Sequence, residues 1–93
     1  MAAEAYKCTP VFNEESLPGA IRSAHATKEG VWGLLRVLEG EVRLIFHDPR
    51  REVRVDPENP APIPPQALRH VETSGPMRMQ VEFYRQPPPG AGE

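Results

Sequence analysis

Histidines are scarce in this sequence, and two of the three, His25 and His70, sit where their imidazoles could be aimed at one point. His25 lies in Gly19-x5-His25-x-Thr27, a stretch that runs on to Gly40, and His70 ends Pro65-x-Ala67-x-x-His70. Neutral imidazole is a frequent metal ligand, but a usable metal site needs a third protein donor. Glu82 is the best candidate. In Met79-Gln80-Val81-Glu82-Phe83-Tyr84 the side chains alternate, so Arg78, Gln80, Glu82 and Tyr84 share one face of a strand and Met79, Val81 and Phe83 the other. If the polar face lines a cavity, His25, His70 and Glu82 form a two-imidazole, one-carboxylate set suited to Fe(II), Zn(II), Mn(II) or Ni(II). The competing reading puts that face in solvent and packs Met79, Val81 and Phe83 in the core.

Other residues could shape such a pocket. Lys28, next to Thr27, could hold an anion, and Gln80 shares the face of Glu82. Trp32 offers a flat surface for packing a ligand. Arg36 interrupts an apolar strand and, facing inward, would bind an oxyanion in a bidentate manner, whereas a surface ion pair is its ordinary role. His47, beside Asp48-Pro49, reads as an exposed turn residue. Cys8 is the single cysteine, which rules out an intramolecular disulfide, and reads as a small buried hydrophobe. The serines sit in no nucleophile elbow, and no phosphate-cradling loop or dinucleotide fingerprint is present.

The elements that must position these residues are strands. Tyr6 to Phe12 opens the series, and Ala20 to Thr27 follows with Ser23, His25 and Thr27 on one face. Val31 to Leu38 is the strongest strand, and a tight reversal at Glu39-Gly40-Glu41 predicts a hairpin with Val42 to Phe46. Glu52 to Val55, Ala67 to Glu72 and Met77 to Arg85 complete the set. Twelve prolines, five of them between Pro57 and Pro65, confine those stretches to loops or edges. Seven or eight short strands with almost no helix predict an all-β sandwich or closed barrel.

The chain has 93 residues, enough for one modest core. Residues 1–5 are expected to be a flexible N-terminus, 6–85 the folded domain, and 86–93 a disordered proline- and glycine-containing tail with nothing to bury. A net charge of -2, without a long run of basic residues, gives no nucleic-acid footprint. With no signal-peptide pattern and no apolar run of membrane-spanning length, the expected compartment is the cytoplasm.

The histidine stretches resemble the two motifs of cupin barrels, roughly G-x5-H-x-H-x3-4-E-x6-G and P-x-G-x-x-H-x3-N. Gly19, His25, Gly40, Pro65 and His70 match, while Thr27 replaces the second histidine, Ala67 the glycine and Ser74 the asparagine; the glutamate position falls on Val31 or Trp32. Over about residues 6 to 85, the blocks Leu17-Pro18-Gly19, His25-Ala26-Thr27-Lys28-Glu29-Gly30-Val31-Trp32-Gly33, Val37-Leu38-Glu39-Gly40, Ile63-Pro64-Pro65-Gln66, Arg69-His70-Val71-Glu72 and Gln80-Val81-Glu82-Phe83-Tyr84 are similar to the TehB/YeaR-like family. That resemblance implies a small cupin-like domain linked to tellurite or nitrosative stress. It also implies that His25, Thr27, Lys28, His70 and Glu82 lie in the most typical blocks.

The expectation is a small cupin-like β-barrel of the jelly-roll type with about eight strands, expected as a homodimer because a barrel this small gains stability by burying one sheet face. Its leading function is binding or sensing of a divalent metal or a small oxyanion. A metal-dependent dioxygenase- or isomerase-like enzyme and a structural interaction domain with a filled barrel are the alternatives.

Overall fold

A computed structural model describes residues 5–19, 26–47 and 50–88. Eight strands form two antiparallel sheets. They are β1 (Lys7–Cys8), β2 (Phe12–Asn13), β3 (Trp32–Glu39), β4 (Val42–His47), β5 (Arg50–Val55), β6 (Ala61–Ile63), β7 (Arg69–Thr73) and β8 (Arg78–Tyr84). The first sheet runs β1-β8-β3-β6 with β2 also on β8, and the second runs β5-β4-β7.

Alternation decides what each sheet buries. On β3, Leu35 and Val37 face inward; on β8, Met79 and Val81 do so; on β4, Val42, Leu44 and Phe46. These residues join Val55, Ile63 and Val71 in one core between the two inner faces. Among the described residues no strand pairing joins the sheets, so the strands do not close into a single barrel.

The expected hairpin between β3 and β4 does not form. β3 pairs with β8 and β6, and β4 with β5 and β7. The register slips between Val37 and Glu39, leaving Leu38 as an extra residue, and Gly40 follows at φ 75°. Such a bulge bends a strand, and the left-handed glycine completes the corner that carries the chain from the first sheet to the second. A Cβ on Gly40 would lie 2.5 Å from the Pro76 carbonyl oxygen, so no side chain fits there.

Several smaller features also depart from the sequence reading. The expected first strand is broken into β1 and β2, with Pro10, which lacks a donor, between them; the Thr9 hydroxyl accepts the Val81 N–H at 3.0 Å. β6 arises within the proline-rich loop, where an edge position tolerates Pro62. Cys8 is exposed instead of buried. Pro88, assigned to a tail with nothing to bury, is fully buried. The strand expected over residues 20–27 lies mostly outside the described residues, as does His25.

Candidate functional site

Phe46 is the inward residue near the end of β4, with Arg51 of β5 as its partner on one side and Arg69 of β7 on the other. Directly paired residues share a face, so the inner face of the second sheet carries the row Arg51–Phe46–Arg69. The Arg51 guanidinium carbon sits 4.6 Å from the centroid of the Phe46 ring, a cation–π contact. Arg69 has a buried Nη1 with no hydrogen-bond partner. Its burial pushes the guanidinium below its ordinary range, yet guanidinium remains charged in proteins. Among the described residues neither Arg51 nor Arg69 has an ion-pair partner.

An open cleft of about 570 Å³ reaches Phe46 and Arg51 of this row but is not lined by Arg69. Trp32 of the first sheet, Phe46, Arg51 and Arg54 line it, together with Asn59 and the segment Pro60 to Pro62. Arg54 is already engaged with Glu41 at 3.1 Å, which leaves Arg51 as the unpaired guanidinium in the lining. A positive, partly aromatic cleft of this kind suits a small anion.

The residues proposed for a metal are arranged differently. Val71 is the core residue of β7, so His70 stands on the outer face of the second sheet, opposite Ile45. Met79 and Val81 fill the core from β8, so Glu82 stands on the outer face of the first sheet; this is the competing reading of that strand. Glu82 accepts from Arg36 Nε at 2.8 Å and from the Tyr84 hydroxyl at 2.8 Å. The structure thus does not bring His70 and Glu82 together, and each has its own partners. His25 lies outside the described residues, among which no cluster of three metal-ligating side chains occurs.

The other candidates divide between lining and structural roles. Trp32 lines the cleft, and Arg36 forms the ion pair with Glu82 instead of facing inward. Gln80 pairs across from Arg36 on the same outer face. Thr27 works as a clip: its hydroxyl donates to the Val31 carbonyl at 2.9 Å and accepts the Gln66 N–H at 3.3 Å, holding Gln66 at φ 62°. Lys28 is exposed and lines a second, smaller cleft of about 320 Å³ with Lys7 and Tyr6. His47 is not an exposed turn residue. It ends β4, half-buried, with Nε2 2.7 Å from His70 Nδ1.

Sequence reasoning gives Arg69 no role and reads the Arg50-Arg51 pair as a solvated turn, whereas both residues of that pair lie in β5. The usable signal was Arg69 in an alternating strand, in register with the inward Val71.

Comparison with known proteins gives a consistent result. The family described as TehB-like domain matches residues 7–81. The chain is 33% identical over 85 residues to the probable S-adenosyl-L-methionine-dependent methyltransferase TehB of Haemophilus influenzae strain 10810, and equally so to that of strain KW20. The match takes in 85% of this chain but 30% of those proteins, so the chain spans under a third of their length. The crystal structure of TehB from Haemophilus influenzae superposes with a TM-score of 0.79 at 30% identity, over 89% of this chain and 31% of that one. A protein from Escherichia coli strain K12 superposes with a TM-score of 0.80 at 19% identity, over 89% and 90% of the two chains, a likeness of fold.

Proposed function

This chain belongs to the TehB-like family, and we propose that it is an oxyanion-binding domain whose ligand enters the cleft between the sheets, where Arg51 and Trp32 line the wall, and is met by Arg69, which stands beyond Phe46 in the same row and outside the lining itself. The observation that carries this reading is the buried, unpartnered Nη1 of Arg69. Arg69 is half-buried as a residue, and a guanidinium nitrogen taken out of water with no acceptor costs on the order of 1–3 kcal/mol, so it calls for a compensating acceptor. Arg51, on the far side of the Phe46 ring, doubles the positive charge at that end of the sandwich. The two-sheet architecture fits an open cupin-like jelly roll with its ligand between the inner faces.

Tellurite, with which the family resemblance associates this domain, belongs to the proposed ligand class. The methyl transfer in the name of the Haemophilus relatives involves a further part of those longer proteins; here the domain gathers or senses the anion. The proposed ligand needs no metal, and His70 and Glu82, on the outer faces of the two sheets, are not part of this site.

Calorimetric titration of the Cys8→Ser protein with tellurite, phosphate and sulfate tests the reading, the substitution removing an exposed thiol that tellurite could oxidise. Saturable binding of at least one of them is expected, weakened at least about tenfold, or ~1.4 kcal/mol, by Arg69→Met and by Arg51→Gln. Equal affinity in Arg69→Met would remove the basis of the proposal.

A further inference from the structure

The opposite face of the same sheet carries a second arrangement that the anion cleft does not use. His47 and His70 stand there, His47 at the end of β4 where its N–H donates to the Leu68 carbonyl at 3.0 Å, and His70 across from Ile45. Their rings meet edge to face, with centroids 4.9 Å apart and planes at 72°. His47 Nε2 and His70 Nδ1 are 2.7 Å apart, with one proton between them. The other nitrogen of His70 meets Glu72 Oε2 at 2.9 Å. Glu72 is held from its second oxygen by Arg43 at 3.2 Å.

The chemistry of this chain of contacts is specific. A carboxylate only accepts, so in the neutral pair His70 donates from Nε2 to Glu72 and presents the Nδ1 lone pair to His47. A carboxylate behind an imidazole is the arrangement that fixes the tautomer and raises the basicity of a metal-binding histidine. Two imidazole nitrogens bound to one ion at ~2.0–2.1 Å lie roughly 3.0–3.4 Å apart, so the pair needs to open by only about half an ångström. His47 would then carry its proton on Nδ1. Two protein donors fall short of the three that a resident metal centre needs, so the site is one of reversible capture, with water completing the coordination beside the 16% exposed His70 side chain.

We propose that His47 and His70 bind one divalent transition-metal ion on the outer face of the second sheet, with Glu72 positioning His70. Imidazole donors with water favour borderline ions, so Cu(II) binds more tightly than Ni(II) or Zn(II), and Mg(II) and Ca(II) do not bind. The site is independent of the anion cleft, which lies on the other face.

The test uses the untagged full chain. Calorimetry with Cu(II), Ni(II) and Zn(II) should give one site per chain, weakened at least about tenfold by His47→Gln and by His70→Gln, and by a comparable factor, roughly 10–100-fold, in Glu72→Gln. His25→Ala and Arg69→Met should leave it unchanged, which separates this site from a His25-containing site and from the anion cleft. Should a histidine variant fail to fold, the wild-type protein supplies a second readout: substoichiometric Ni(II) must broaden the ring resonances of His47 and His70 first. Absence of saturable binding, retention of affinity in His70→Gln, or broadening centred elsewhere would each overturn the proposal.

Discussion

Arg36 and Arg69 make an instructive pair. Arg36 stands among apolar neighbours within β3 and Arg69 opens the more polar β7, and both are half-buried as residues. Arg36 lies on the outer face of the first sheet with a 41% exposed side chain, and the fold gives it Glu82 at 2.8 Å. That hydrogen bond raises its pKa above the ordinary guanidinium value, outweighing desolvation. Arg69 lies on the inner face of the second sheet, where desolvation acts unopposed and one nitrogen has no partner. The fold thus supplies a counter-charge to the more exposed guanidinium and, among the described residues, leaves a buried nitrogen of the other without an acceptor. This difference directs the functional reading to Arg69.

The largest expected effect comes from removing the uncompensated charge. Arg69→Met keeps the length and apolar stem of the side chain, and replacing a buried charge by a packed hydrophobe is neutral to stabilising by about 1–4 kcal/mol. Urea unfolding without oxyanions should show that gain. Phosphate should then raise the midpoint of the wild type by mass action and leave the variant unmoved. A loss of more than about 1 kcal/mol in the variant would mean that Arg69 is a structural member of the core, and the contrast with Arg36 would collapse.

Arg36→Met supplies the smaller, opposite result. It leaves Glu82, 20% exposed, with the Tyr84 hydroxyl as its remaining partner, and should cost roughly 0.5–1 kcal/mol because the lost ion pair is partly solvated. Anion affinity should stay within about twofold of wild type, since Arg36 faces away from the cleft. A tenfold loss would place Arg36 in the ligand site and erase the distinction between the two faces.

Much of the fold was legible because alternation is a property of the residues themselves. The apolar runs of β3, β4 and β8, and the division of Arg78–Tyr84 into two faces, could be read directly. The pairing of β3 with β4 could not. Glu39-Gly40-Glu41 looks like a hairpin turn, and only the bulge at Leu38 and the close approach of Pro76 to Gly40 turn it into a corner between sheets. Alternation also does not say which face is inner, and that choice separates His70 from Glu82. The role of Arg69 depends on a partner it lacks, and the contact of His47 with His70 on a register set by β7; neither is encoded in local spacing.

The smallest effect is the most discriminating about the paired face. Tyr84 is buried, and its pKa is raised above the ordinary 10.0, first by desolvation, then by the hydrogen bond and charge of Glu82; Arg36 acts the other way. The sign follows from linkage. The folded value lies above the unfolded one, so the stability contributed by the neutral phenol is complete below pH 10 and is lost as pH rises through the folded value. Glu82→Gln removes the negative neighbour and should bring Tyr84 ionisation to lower pH. Arg36→Met removes the positive neighbour and should move it higher. Phenolate absorbance in a Tyr6→Phe background reads Tyr84 alone, because the sequence has two tyrosines. Shifts of opposite sign would establish Arg36, Glu82 and Tyr84 as one self-compensated network, the state that the proposed ligand would give Arg69. Shifts of the same sign would mean that burial, and not charge, governs this face, and the comparison of the two arginines would then rest on burial alone.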